Sequence, residues 1–195
     1  MPIPVLTVII GSTRPGRAGL PIGTWFAELA AERDDIELRV IDLAELDLPF
    51  LSEPHHPRLR QYTRDQTWEW ASQVLASDAF VIVTPEYNYG YPATVKNALD
   101  TISQEWAHTP VGFVSYGGIA AGTRAVQQLK QVVTTLKMVP VFESVNIAFH
   151  AQYIEEGRFV PGEGTGAAAT AMLDELVRLS VALADLRGGV RERLG

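Results

Sequence analysis

Apolar residues fall along this chain in two alternating rhythms. Val5-Leu6-Thr7-Val8-Ile9-Ile10 and Ala79-Phe80-Val81-Ile82-Val83 are short β-branched runs without a polar face, as in strands buried on both sides. Val111 to Ser115 reads the same way. Ile36 to Leu43 alternates instead, Ile36, Leu38 and Val40 against Glu37 and Arg39, which predicts a strand with one wetter face. Val139 to Ile147 contains Pro140 and Glu143 and belongs at a sheet edge, where a missing amide donor is tolerated. Between these runs the period becomes helical. Ile22, Trp25, Phe26, Leu29 and Ala30 stripe Leu20 to Arg33. Ala71, Val74 and Leu75 stripe a helix ending near Ser77, and Thr63 with Gln66 predicts a capping box at its start. Pro92 suits a first helical position ahead of Val95, Ala98, Leu99 and Ile102. Gly122 to Lys137 and Ala167 to Leu186 complete five helices. Residues 43–60, with three prolines, and residues 148–164 show no period and predict loops.

Five strands alternating with five helices predict an α/β fold, a parallel sheet covered on both faces. The wetter second and fifth runs belong at the edges. The order 2-1-3-4-5 puts them there, in a flavodoxin-like three-layer sandwich. The 195 residues show no repeat, linker or low-complexity tract, so residues 1–195 read as one domain. No apolar run approaches the ~20 residues of a membrane helix. Met1-Pro2-Ile3-Pro4 lacks a basic leader. With no cysteine, disulfides and thiol chemistry are excluded, and a reducing, cytoplasmic setting is expected. A net charge of −7 gives no electrostatic reason to expect nucleic acid. His55-His56 has no third ligand near it in sequence, so a solvated pair is expected and no metal.

In open α/β sheets, ligands bind beyond the carboxyl ends of the strands, so the loops there carry the chemistry. The first is Gly11-Ser12-Thr13-Arg14-Pro15-Gly16-Arg17-Ala18-Gly19. A helix N-terminus attracts anions, Ser12 and Thr13 add hydroxyls, and Arg14 and Arg17 add guanidinium forks suited to phosphate. Gly11 and Gly16 have the spacing of a nucleotide-hydrolysing loop, but Arg17 stands for its Lys and Ala18 for its metal-binding hydroxyl. Gly162-x-Gly164-x-x-Ala167 is a degenerate dinucleotide match in which Glu163 would repel phosphate. What remains is a loop for one terminal phosphate. The second loop, Pro85-Glu86-Tyr87-Asn88-Tyr89-Gly90-Tyr91-Pro92, offers aromatic and peptide surface with few charges, suited to a flat ligand. The third is Tyr116-Gly117-Gly118. One phosphate and a ring about 10 Å long, spanning two strand spacings, point to FMN.

Together, Gly11-Ser12-Thr13-Arg14, Pro85-Glu86-Tyr87-Asn88-Tyr89 with Lys96-Asn97-Ala98-Leu99-Asp100, and Ser115-Tyr116-Gly117-Gly118 with Arg124-Ala125 resemble the NADPH-dependent FMN reductase family. The resemblance implies a flavodoxin-like enzyme with FMN as cofactor and NADPH or NADH as co-substrate. Its acceptor would be small: a quinone, azo dye, chromate or free flavin. It further implies that Ser12, Arg14 and Arg17 hold the phosphate, Pro85 to Tyr89 line the isoalloxazine, and Ser115 to Gly118 meet its pyrimidine side. Ala18 stands where many relatives have Asn, a contact that backbone amides can replace. The flavin carries the chemistry, so no side chain is expected to be catalytic. Glu86 is expected to support its turn, and Tyr87 and Tyr89 to shape the open face. Donor and acceptor sharing that face implies ping-pong turnover. The family also implies a homodimer or homotetramer, with Phe50, His55 and His56 of the 43–60 loop over a partner's site. The alternative reading is a flavodoxin-type electron carrier, which Arg14 and Arg17 argue against. A flavin-free structural or signalling domain is a further alternative.

Overall fold

The computed structural model describes residues 3–195; Met1 and Pro2, half of the opening read as lacking a leader, lie outside the described residues. The chain runs β1 (Val5–Ile10), α1 (Gly19–Ala31), β2 (Glu37–Asp42), α2 (Leu43–Leu46), α3 (Asp65–Leu75), β3 (Ala79–Pro85), α4 (Ala93–Asp100), β4 (Pro110–Tyr116), α5 (Thr123–Thr135), β5 (Val139–Ile147), the short strands β6 (Ile154–Glu155) and β7 (Arg158–Phe159), α6 (Thr165–Ala182) and α7 (Ala184–Leu194). The five long strands form a parallel sheet of order β2-β1-β3-β4-β5. The two runs with polar positions lie at its edges, as the pattern predicts.

Strand alternation divides the core in two. Leu6, Val8, Val81, Val83 and Val114 pack against Ile22, Phe26 and Ala30 of α1 and Met172, Leu173 and Leu176 of α6. Ile9, Phe80, Ile82 and Phe113 face Trp70 and Val74 of α3, Leu99 of α4, and Leu129 and Val133 of α5. Both sets are buried, so the three central strands β1, β3 and β4 have no wet face. Among the described residues, no helix is long and apolar enough to cross a membrane.

Several boundaries differ from the sequence expectation. Residues 43–60 contain α2 and a 3₁₀ turn at Pro57–Leu59. Residues 148–164 contain the β6–β7 hairpin, whose Phe159 packs edge-on against Trp25 at 5.1 Å. The last helix is two helices meeting at Leu183. Arg187 anchors the second: fully buried, its guanidinium donates to the carbonyls of Val74, Leu75, Ser77, Glu105 and Ala107. Burial pushes its pKa down to about 10, so it is still a cation at neutrality. Pro92 is the N-cap of α4 and not its first helical residue.

The capping box at Thr63 does not form. Arg64 is the N-cap of α3 and supplies no side-chain cap. Glu53 takes that place from the preceding loop, accepting from Thr63 N at 2.7 Å, Thr63 Oγ1 at 2.8 Å and Arg64 N at 3.3 Å. A carboxylate at a helix N-terminus satisfies open amides and complements the dipole. Partial desolvation pushes the Glu53 pKa up, but hydrogen bonds from Thr67, Thr63 and Arg64 outweigh it and hold it at about 2, below the ordinary 4.5. A depressed carboxyl pKa gives stability that is full above the unfolded value and lost as pH falls toward the folded one. Glu53→Gln should therefore cost about 1 kcal/mol at pH 7, as for loss of a cap. Urea denaturation should show that difference constant above pH 4.5 and closing on acidification toward pH 2.

Candidate functional site

Three loops meet beyond the carboxyl ends of β1, β3 and β4. The first begins with Gly11, whose N–H donates to Val83 O at 2.9 Å. A side chain at 11 would collide with Val95 of α4. Thr94 Oγ1 donates to Gly11 O at 2.7 Å, which ties the first loop to the helix after the second. Arg17 N donates to Arg14 O, closing a turn in which Gly16 has φ 69°. Ala18 is the N-cap of α1 and gives no side-chain cap, so the first amides of that helix remain open to an anion.

Within this loop the candidate residues divide. Ser12 is buried, and its hydroxyl shares a 2.8 Å hydrogen bond with Tyr87 Oη. Thr13 is partly exposed and borders a groove of about 420 Å3 with Phe50, Leu43 and Thr94. Arg14 is exposed. Arg17 pairs with Asp42 at the end of β2, while its buried Nε has no protein partner. Gly19 lies against the base of the site, where a Cβ would fall 2.6 Å from the Tyr116 hydroxyl.

The second loop is a tight reversal. Tyr87 N donates to Gly90 O at 2.8 Å and Gly90 N to Tyr87 O at 2.9 Å. Asn88 (φ 50°) and Tyr89 (φ 73°) between them are both left-handed, the pattern of a type I′ turn. Asn tolerates that region; Tyr is held there by its surroundings. Arg124 lies 3.9 Å from the Tyr89 ring centroid, a cation–π contact. Gln128 donates to Tyr89 O at 3.1 Å. Pro85 is a buried strand residue. Glu86 accepts from Arg124 N at 3.2 Å and from Arg124 Nε at 2.6 Å. Its side chain is only 6% exposed. The carboxylate thus caps the first turn of α5.

In the third loop, Ser115 is a buried residue of β4, as its run predicts, but the strand extends one residue further, through buried Tyr116, which the sequence pattern placed in the turn. The Ser115 hydroxyl bonds to Ala121 O and Asn146 Oδ1. Tyr116 lies beneath the first loop, and burial pushes its phenol well above the usual range. Gly117 and Gly118 are the accessible part, and Gly118 has no atom within 4 Å of where a Cβ would stand. The segment after β5 braces them: His150 N and Nδ1 bond to Gly117 O, and Phe149 N donates to Gly118 O at 3.2 Å.

Comparison with known proteins decides the family. The sequence model of NADPH-dependent FMN reductases matches residues 4–152. The chain belongs to that family. An NAD(P)H-dependent FMN reductase of Schizosaccharomyces pombe is 41% identical over 137 residues, 69% of this chain and 68% of the relative. A quinone reductase of Pseudomonas putida is 28% identical over 140 residues, 68% and 71% of the two chains. In solved structures, the flavoenzyme NAD(P)H:acceptor oxidoreductase FerB of Paracoccus denitrificans superposes with a TM-score of 0.73. It covers 92% of this chain and 98% of its own at 23% identity, and so supports the fold. Membership makes this chain an NAD(P)H-dependent oxidoreductase that works with FMN.

The residues present fit that cofactor. Open amides at α1, the unpartnered Arg17 Nε, the Ser12 hydroxyl and exposed Arg14 suit a phosphate. Tyr87 and Tyr89, 41% and 64% exposed, and open Gly118 suit a flat ring. Sequence reading missed Asp42, Thr94, Phe149 and His150. Asp42 ends β2, where a strand-end rule would have found it. The other three act through contacts distant in sequence and carry no local signal.

Proposed function

We propose that this FMN reductase passes reducing equivalents from NADPH or NADH to a small acceptor, with a quinone as the best match. The observation behind this reading is the open shelf of Tyr87, Tyr89 and Gly118 beside a loop suited to one phosphate. Ser12, Thr13, Arg14, Arg17 and the amides at Ala18 and Gly19 would hold the phosphate. The turn at 86–89 and Gly117–Gly118 would line the ring, over Pro85, Ser115 and Tyr116. Bound FMN supplies the redox step, taking a hydride from nicotinamide and giving electrons to the acceptor. The protein's own part is orientation. Ser12 holds the Tyr87 hydroxyl, and Arg124 holds Tyr89, so both rings stay at the shelf. Glu86 is engaged by α5 and is not placed as a base.

Arg14 makes no ion pair among the described residues, so its charge is available to a ligand. A charge-assisted hydrogen bond contributes about 1.5–3 kcal/mol. Arg14→Ala should then weaken FMN binding about tenfold or more and leave riboflavin binding unchanged. Equal loss for both flavins in a fluorescence titration would refute the role.

Assembly into a homodimer or homotetramer belongs to the same reading. It is supported by Ile119, Phe142 and Phe149, 82%, 90% and 54% exposed. Large apolar side chains this exposed suit burial against a second copy of the chain. Light scattering should give a mass of at least twice 21.4 kDa. A constant monomer mass across micromolar concentrations would reject it.

Hydride transfer needs the nicotinamide carbon within about 3–3.5 Å of its acceptor atom, and a quinone needs the same shelf. The two must take turns. Double-reciprocal plots of NADPH oxidation at several fixed quinone concentrations should be parallel, and NADPH alone should bleach the anaerobic holoenzyme. Intersecting plots with no bleaching before quinone is added would instead require a ternary complex.

A further inference from the structure

The amino ends of β4 and β5, opposite the three loops, hold a second concentration of charge. A cleft of about 670 Å3 opens there, a volume typical of small-molecule sites. Its walls include His56 and Arg58 from the segment between α2 and α3, and His108 just ahead of β4. Lys137, just ahead of β5, and Arg193 of α7 complete them. Among the described residues, no Asp or Glu lines the cleft, on a chain whose net charge is −7.

Cations elsewhere are largely engaged. Of the 16 Lys and Arg side chains, eight form ion pairs among the described residues, and Arg187 is buried against carbonyls. Three of the seven that remain, Arg58, Lys137 and Arg193, share this one cleft. The wall is also fixed in place. Gln104 Nε2 donates to Arg58 O at 2.7 Å, and Arg58 N donates to His56 Nδ1 at 3.1 Å.

The backbone adds a second observation. His108 (φ 62°) and Lys137 (φ 61°) are both left-handed, and His108 N donates to Lys137 O at 2.9 Å. Lys137 follows the C-cap of α5, where glycine is the usual residue. Glycine would take either conformation without strain. The chain instead keeps an ammonium and an imidazole at two strained positions, and both line the cleft. Strain of this kind at a polar cavity points to a functional side chain.

We propose that this cleft binds a small anion bearing two or more linked phosphates, at a site separate from the flavin loops. Two guanidinium forks and one ammonium suit a diphosphate better than a single carboxylate. Leu136, at the same wall, offers apolar surface to an organic portion.

The test uses FMN-saturated protein, titrated by calorimetry at low salt with inorganic pyrophosphate and, separately, with metal-free ADP. Saturable binding of either is expected. Equal affinities would assign the site to the phosphates alone, and tighter ADP binding to an organic phosphate. The double variant Arg58→Gln/Lys137→Gly should weaken binding at least about tenfold, with FMN affinity unchanged. Glycine at 137 removes the left-handed lysine, so the melting temperature should not fall. Arg193→Gln, at an exposed helical position, gives the same readout without touching a strained residue. The proposal is overturned if neither anion binds, or if binding is undiminished in both variants. It is also overturned if binding occurs only without FMN, which would place the anion on the first loop.

Discussion

Glu86 is the joint on which the site depends. It leaves β3 as a buried carboxylate whose solvation must be replaced by protein donors. Arg124 supplies them from the first turn of α5, by its amide and its guanidinium. The Glu86 amide in turn donates to Tyr116 O, the last carbonyl of β4. One residue thereby fixes the second loop to the strand and the helix that bracket the third. The same guanidinium lies on the Tyr89 ring and helps hold it in the left-handed region. Without that clamp, a tyrosine at φ 73° would have little reason to stay. A carboxylate spent this way explains why a glutamate at the site need not be a base.

The sheet was legible because its central strands are buried on both faces. Unbroken runs such as Val5 to Ile10 leave no other placement, and the polar positions of β2 and β5 rank them as edges. Local patterns failed where a distant residue did their work. Thr63 and Gln66 have the spacing of a capping box, yet Glu53, ten residues earlier, caps the helix. Such a competition is invisible to a four-residue motif. Tyr116 reads as a turn residue because two glycines follow it. The strand continues through Tyr116 because its phenol fills the space beside Gly19. Of the residues in these loops, Arg14, Tyr87, Tyr89 and Gly118 are exposed, whereas Gly11, Ser12, Gly19, Ser115 and Tyr116 are buried and serve packing or, for Ser12, the hydrogen bond to Tyr87.

The long segment between α2 and α3 connects the two ends of the sheet. Near its start, Asn97 of α4 accepts from Leu51 N and donates to Leu48 O and Pro49 O, which keeps Phe50 beside the first loop. Farther on, Arg60 reaches buried Glu105 at 2.7 Å and stacks on Trp68, near the basic cleft. A loop of this length without regular structure is usually functional or disordered. This one is pinned at both ends by buried polar groups.

The two arginines of the first loop have different tasks, although the sequence treats them alike. Arg17 is largely covered, and a covered guanidinium without a counter-ion is costly. Asp42 meets that need from the end of β2 and also caps α2 through Ala44 N. This pairing fixes Arg17 but cancels most of its charge. What Arg17 can offer an anion is therefore its remaining Nε donor in a set orientation, not a net positive field. Arg14, exposed and outside any ion pair among the described residues, supplies the field, which is screened by solvent and salt. If this loop holds the phosphate as proposed, affinity should rest on short-range donors held by the fold: the α1 amides, Ser12 and Arg17 Nε. Arg14 adds a single salt-dependent increment. An acidic chain can hold an anion on such terms because amides and hydroxyls add no charge that the surrounding carboxylates could neutralise.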